Sequence, residues 1–125
     1  MIDYRYAIVR VVPRAERDES VNVGIIVYSP AMRSLAVEVT NDLAVVQALD
    51  PDVDLDALRD SLTALERICA GEPAGGPAAG KSAAFRFGHL TAPRSTMLRT
   101  SGTHGGVAED LASAAQSLYL RFVAR

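Results

Sequence analysis

The sequence predicts an α+β domain: an antiparallel sheet, with a three-stranded N-terminal meander plus one or two C-terminal strands, and two main helices packed on one face. Three observations carry this reading. "YRYAIVRVV" (4–12) and "SVNVGIIVY" (20–28) are β-branched and aromatic, as strands are. "DLDALRDSLTALERICAG" sets Leu55, Leu58, Leu62, Leu65 and Cys69 at helical spacing. "GVAEDLASAAQSLYLRFVAR" closes the chain with a second such stripe, Leu111, Ala115, Leu118 and Phe122. With 125 residues, one domain of 1–125 is expected, burying about two-thirds of its unfolded surface.

The elements follow in order. The first two strands make a hairpin closed by residues 13 to 19, and Pro30 marks the turn in "SPAMR". "SLAVEVT" (34–40) alternates strictly and reads as the third strand; "NDLAVVQAL" (41–49) supplies one or two helical turns capped by Asn41 or Asp42. Asp52 or Asp54 can cap the long helix and Gly71 ends it. Residues 71–82, "GEPAGGPAAGKS", form a flexible Gly/Pro/Ala connector without structure of its own. "AFRFG" and "STMLRTS" are short strand candidates, and in the last helix Glu109 and Asp110 precede Arg121 and Arg125, an order that suits the helix dipole.

Composition excludes several classes. No apolar run reaches the ~20 residues of a membrane span, and "MIDYRYAIVR" lacks the charge order of a signal peptide. A lone Cys69 forms no internal disulfide, so a reducing, cytoplasmic setting is expected, and the Ala-, Arg- and Val-rich usage suits a GC-rich bacterial genome. The net charge of −2 hides an asymmetry: residues 42–72 hold eight acids against Arg59 and Arg67, whereas 73–104 hold only cations. Such a dipole can steer an anionic partner to the basic end.

Within the hairpin, keeping apolar residues on one face pairs Val11 with Val21, Val9 with Val23 and Ala7 with Ile25; the third strand then sets Val37 opposite Ile25. The other face collects Arg10, Asn22, Glu38 and Thr40 around Gly24, whose missing side chain leaves space there. Asn22 is expected to pair with Arg10, and Glu19 in the loop to hold Arg14 or Arg17.

At these residues the chain resembles a family of small bacterial proteins, domain of unknown function 3037 (DUF3037). The likeness lies in "YAIVRVVP" followed by "RDESVNVGIIVY", in particular Arg10, Pro13, Glu19, Asn22 and Gly24, and later in "LTAPRST" and the closing helix. It does not reach the connector. It implies no activity; it suggests a small partner or regulator of kinases resembling HipA, the toxin-type serine/threonine kinase.

Other motifs are weaker. "GGPAAGKS" (75–82) satisfies the phosphate-binding pattern G-x-x-x-x-G-K-[ST], but a helix precedes it, "AAFRFG" reads as a strand after it, and Pro77 removes an amide. His104, with Gly105, Gly106 and the amides of the last helix, could receive an anion, helped by Arg99. His89 has no local metal partner, Ser95 and Ser101 lack a nucleophile's strand–turn–helix setting, and Cys69 falls on an apolar stripe. No catalytic residue, metal or cofactor is assigned. Nucleic acid is disfavoured, because Phe85 and Phe87 are expected to face the core.

The favoured reading is a non-enzymatic bacterial interaction module. It would bind a partner protein, a HipA-like kinase being the candidate, through the mixed sheet face and the Arg94 loop; a homodimer follows if the sheet edge is left uncovered. The binding residues would be Arg10, Glu19, Asn22, Gly24, Glu38, Arg94, Arg99 and His104. The alternative is a small enzyme or ligand binder acting on a phosphate-bearing molecule or nucleotide, with Glu19 or Glu38 as acid or base. Convergence of these groups on one cavity would favour the alternative.

Overall fold

The computed structural model describes residues 1–125. Nine elements follow one another: β1 (Ile2–Val11), β2 (Val21–Ser29), β3 (Ser34–Val39), α1 (Ala44–Leu49), α2 (Leu55–Ala70), α3 (Ala83–Thr91), β4 (Leu98–Thr100), β5 (His104–Ala108) and α4 (Leu111–Phe122). All pairings are antiparallel, in the order β3-β2-β1-β4, with β5 beside the first half of β1. The fold class is thus the α+β class expected. The placement of the helices is not.

The difference begins in the hairpin. Val11 meets Val21 and Arg10 meets Asn22 as expected, but Val9 then meets Gly24 and Ile8 meets Ile25. Val23 is the extra residue of a β-bulge, and every pairing beyond it moves by one. The third strand shifts too: Val37 lies opposite Ile26, and Glu38 opposite Ile25. Beyond the bulge β2 therefore turns consecutive residues to opposite faces, and both are oily: Ile25 and Ile26 are each fully buried.

One face carries Val9, Val11, Val21, Val23 and Ile26, packed with Val46 of α1, Leu58, Leu62 and Leu65 of α2 and Phe87 and Leu90 of α3. The other carries Ile8, Ile25 and Val27, packed with Ala114, Ala115 and Leu118 of α4. The two long helices thus lie on opposite faces, and the face expected to be polar is largely covered by α4. Each fully buried Val or Ile contributes about 1.5–3 kcal/mol, far more than an exposed polar cluster would.

Local rules account for most boundaries. The Asp54 carboxylate accepts the Ala57 amide at 3.0 Å to start α2, and Gly71, at φ 71°, ends it. Asp110 caps α4 by accepting the Ser113 amide at 2.7 Å. "AFRFG" is helical rather than extended: Ser82 accepts the Phe85 amide at 3.2 Å, and Ala83, Phe87 and Leu90 bury one helical face. Phe85 is left 51% exposed, whereas a strand would have set it beside Phe87. The connector contains two 3-10 turns, Pro73–Gly75 and Pro77–Gly80, and packs on α2 and α3. A Cβ at Gly75 would lie 3.0 Å from the Ile68 amide nitrogen, so this glycine admits close approach to α2.

A second irregularity sits on the far side of β1. Pairings Val9–Thr100 and Tyr6–His104 leave three residues, 101–103, opposite two. The Ser101 hydroxyl fills the gap, accepting the Ile8 amide at 2.8 Å and donating to the Gly102 carbonyl at 2.8 Å. β4 and β5 are in effect one strand with a bulge.

Two expectations follow. A Cβ at Gly24 would meet the Glu38 carbonyl at 3.0 Å and a Val39 methyl at 3.2 Å. Gly24→Ala is therefore expected to lower the urea-unfolding free energy by about 1–3 kcal/mol through overpacking. Ser101→Ala leaves the buried Ile8 N–H without its acceptor, with an expected loss of about 1–3 kcal/mol and faster hydrogen exchange at Ile8.

Candidate functional site

The eight residues singled out in the sequence do not converge. Glu19 is tied to Arg17 across the first loop, and this pairing holds its carboxyl below the usual range; it is exposed. Arg14 instead reaches Asp50 at 3.1 Å. Asn22 does not pair with Arg10: its amide donates to the Phe122 carbonyl at 3.1 Å, latching the end of α4 onto β2. Gly24 serves the bulge and its contact with β3 rather than a cavity. Glu38 lies on the edge strand β3 and makes no ion pair with Arg10.

His104 is displaced from its expected place as well. Gly105 and Gly106 lie within β5, not at a helix start, and α4 begins beyond them. Its first turn is already served by the Asp110 carboxylate, held below its usual pKa chiefly by the bond from the Ser113 amide. The anion site proposed for "THGG" is therefore absent. His104 stands opposite Tyr6, ring centroids 5.5 Å apart.

The phosphate-loop pattern is refused on partly different grounds. A helix does follow the GKS triplet, contrary to expectation, and Ser82 caps it. What precedes the loop is α2, however, and four of the loop's amides are already used. Those of Gly75, Gly76, Ala79 and Lys81 donate to carbonyls of Glu72, Pro73, Gly76 and Ala78. No cradle is left for phosphate.

A groove of about 330 Å³ opens between α2, α3 and the segment leading into β4. Leu58, Leu65, Ile68, Leu90 and Met97 supply its apolar wall, and Ser61 and Ala64 its α2 rim. His89, Arg94 and Arg99 also line it, and no carboxylate does. Arg94 donates to the Leu90 carbonyl at 2.9 Å and to that of His89, capping α3 in accord with its dipole. Arg99 donates to the Thr96 carbonyl at 2.7 Å and to Ser95, fixing the loop. These contacts fix two cations at an oily groove. Ser61, Ala64 and His89 were not picked out in the sequence, because the groove forms only once three distant segments meet.

A second surface lies on the α4 side of β1. Tyr4, Tyr6, Ile8 and Arg10 alternate onto that side. Tyr4 lies 6.2 Å from Tyr6, whose other neighbours are His104 and Phe122, the latter at 6.1 Å. Arg10 stands directly opposite Arg99.

No group of three or more His, Cys, Asp or Glu side chains is placed to hold a metal ion, and no helix is long and apolar enough to cross a membrane. Cys69 lies on the buried face of α2, and burial pushes its thiol pKa up to about 12. Its folded-state pKa exceeds the unfolded value of 9.0, so the folded chain favours the neutral thiol. That contribution is complete below pH 9.0 and declines as pH rises toward about 12. Native protein is accordingly expected to resist a disulfide reagent at mildly alkaline pH, and to react fully once unfolded in urea.

Comparison with known proteins places the chain. Residues 6–123 match the family described as "Protein of unknown function (DUF3037)", and the chain belongs to that family. No curated protein and no solved structure matches it.

Proposed function

We propose that this DUF3037 protein is a non-enzymatic, cytoplasmic bacterial interaction module that receives an acid-flanked apolar segment of a partner protein in the groove between α2, α3 and β4. One observation carries the reading. The groove combines an aliphatic wall with Arg94, Arg99 and His89 and contains no carboxylate, so it offers anchorage and charge but no acid–base pair. The candidate acids, Glu19 and Glu38, belong to other parts of the fold. An apolar side chain seated against Leu65 and Leu90, with neighbouring acids toward the arginines, fits this chemistry.

The family resemblance makes a HipA-like kinase the expected partner. A homodimer belongs to the same proposal: the connector packs on α2 and α3, and β3 keeps an outer edge with no strand beside it. The rival reading, a phosphate-bearing small molecule held by Arg94 and Arg99, would use the same groove without a partner.

Ala64→Trp tests this directly, because Ala64 is an exposed rim residue whose replacement fills the groove without disturbing the core. The parent chain, immobilised, is expected to capture a HipA-like kinase from a native bacterial lysate. The purified kinase is then expected to bind the folded variant at least tenfold more weakly. Equal binding by both chains would move the interface elsewhere. A phosphorylated metabolite that binds the parent alone, with no protein captured, would favour the rival.

A further inference from the structure

The α4 side of β1 is covered unevenly. α4 lies chiefly over β2 and β3. Along β1, β4 and β5 it leaves a strip in which Tyr4, Tyr6 and Arg10 are partly exposed over roughly 20 Å by strand geometry, with the buried Ile8 between the tyrosines and the arginine. Four rings occupy one half of that strip. Tyr6 sits 5.5 Å from His104 and 6.1 Å from Phe122, tilted against the first and stacked on the second, and Tyr4 continues the row at 6.2 Å. His104 is exposed, and Tyr4, Tyr6 and Phe122 are half-buried. Gly106 is the β5 partner of Tyr4, and a Cβ there would overlap the Tyr4 ring, so this glycine makes room for the row.

Arginines occupy the other half and one margin. Arg10 faces Arg99 directly across the β1–β4 pair. Arg125 donates to the Asn22 carbonyl at 3.2 Å, and Asn22 is the β2 partner of Arg10. Arg121 lies 4.9 Å from the Phe122 ring. None of these four is paired with a carboxylate: the ion pairs of the chain join Arg14 to Asp50, Arg17 to Glu19 and Arg59 to Asp56. Like charges set directly opposite on neighbouring strands oppose pairing, and an anion between them reverses the sign of that interaction.

We infer that this strip is a binding surface for single-stranded nucleic acid, in which bases stack on His104 and the tyrosine row while phosphates lie along Arg10, Arg99 and Arg125. Interleaved rings and guanidinium groups suit an unstacked base followed by a phosphate. Duplex would hide the base faces that the rings need, and the strip is a sheet face with no helix projecting to enter a groove. An acidic peptide would use the arginines but give no role to the rings. The strip lies apart from the α2–α3 groove, meeting it only at Arg99, so this inference does not rest on the partner-protein reading. It uses residues other than Phe85 and Phe87, the aromatics that argued against nucleic acid in the sequence.

The test is fluorescence anisotropy of a short labelled oligothymidylate and the matching oligouridylate against the full chain at low salt. Binding is expected, weakening with salt at a log–log slope of about −2 for three phosphate contacts. His104→Ala and Arg10→Gln, each folded by circular dichroism, are expected to weaken binding roughly fivefold or more. Arg67→Gln removes the same charge from α2, in the other layer, and is expected to bind like the parent. Absence of binding, equal loss in all three variants, duplex bound as tightly as single strand, or free thymidine monophosphate bound as tightly as the oligomer would each overturn the inference. Binding that survives Ala64→Trp while kinase capture fails would separate the two surfaces.

Discussion

Everything in this fold depends on one extra residue. Val23 and Gly24 together stand opposite Val9, and from that point β2 presents its side chains with inverted parity. Without the bulge, Val21, Val23 and Ile25 would share a face and α4 would meet a sheet short of aliphatic side chains. With it, Val21, Val23 and Ile26 face α2 while Ile25 and Val27 face α4. The bulge also explains why a glycine is required beside it. β3 lies so close that even a methyl group at position 24 would press on the Glu38 carbonyl.

The consequence for function is a redistribution of polar groups. Residues that would have made one pocket in a regular sheet are drawn to separate tasks: Asn22 latches the end of α4, Glu19 closes a loop and Glu38 lies on an edge strand. What remains open is the groove beside α2 and the strip beside α4. The first is oily with basic groups; the second is aromatic and basic. Both would attract anionic partners despite a net charge of −2: α2 lies in the acid-rich segment between Asp42 and Glu72, but none of its carboxylates lines the groove, and the arginines of the strip have no carboxylate partner.

Much of this was legible in the sequence. The α+β class, the two long helices, the Gly71 end of α2 and the buried place of Cys69 all follow from spacing and capping chemistry, whereas the sequence leaves the start of α2 between Asp52 and Asp54, of which the structure uses Asp54. The misses share physical causes. Periodicity alone cannot register a bulge, although the unbroken run "GIIV" carries the signal of a strand buried on both faces. "AFRFG" alternates over too few residues to outweigh the Ser82 cap and the Ala83, Phe87, Leu90 stripe. "THGG" reads as a turn and "GVA" as the start of the last helix, because glycines disfavour strands, yet 104–108 pair with an edge of β1 whose side chains supply the packing, and α4 starts only at Leu111. Of the candidate site residues, Arg94 and Arg99 meet at the groove, and Arg10, Arg99 and His104 lie along the strip. Tyr4 and Tyr6 were visible as aromatic residues in a strand; Phe122 joins them only through the fold.

The measurement that bears most directly on this account is the pattern of methyl contacts around Ile25 and Ile26, observed by nuclear Overhauser effects in labelled protein. The bulged register requires Ile25 to contact the cluster of Ile8, Ala115 and Leu118, and Ile26 to contact that of Val9 and Leu58. Ile25 found instead among the leucines of α2, in step with Val21 and Val23, would contradict the bulge and with it the covering of both faces.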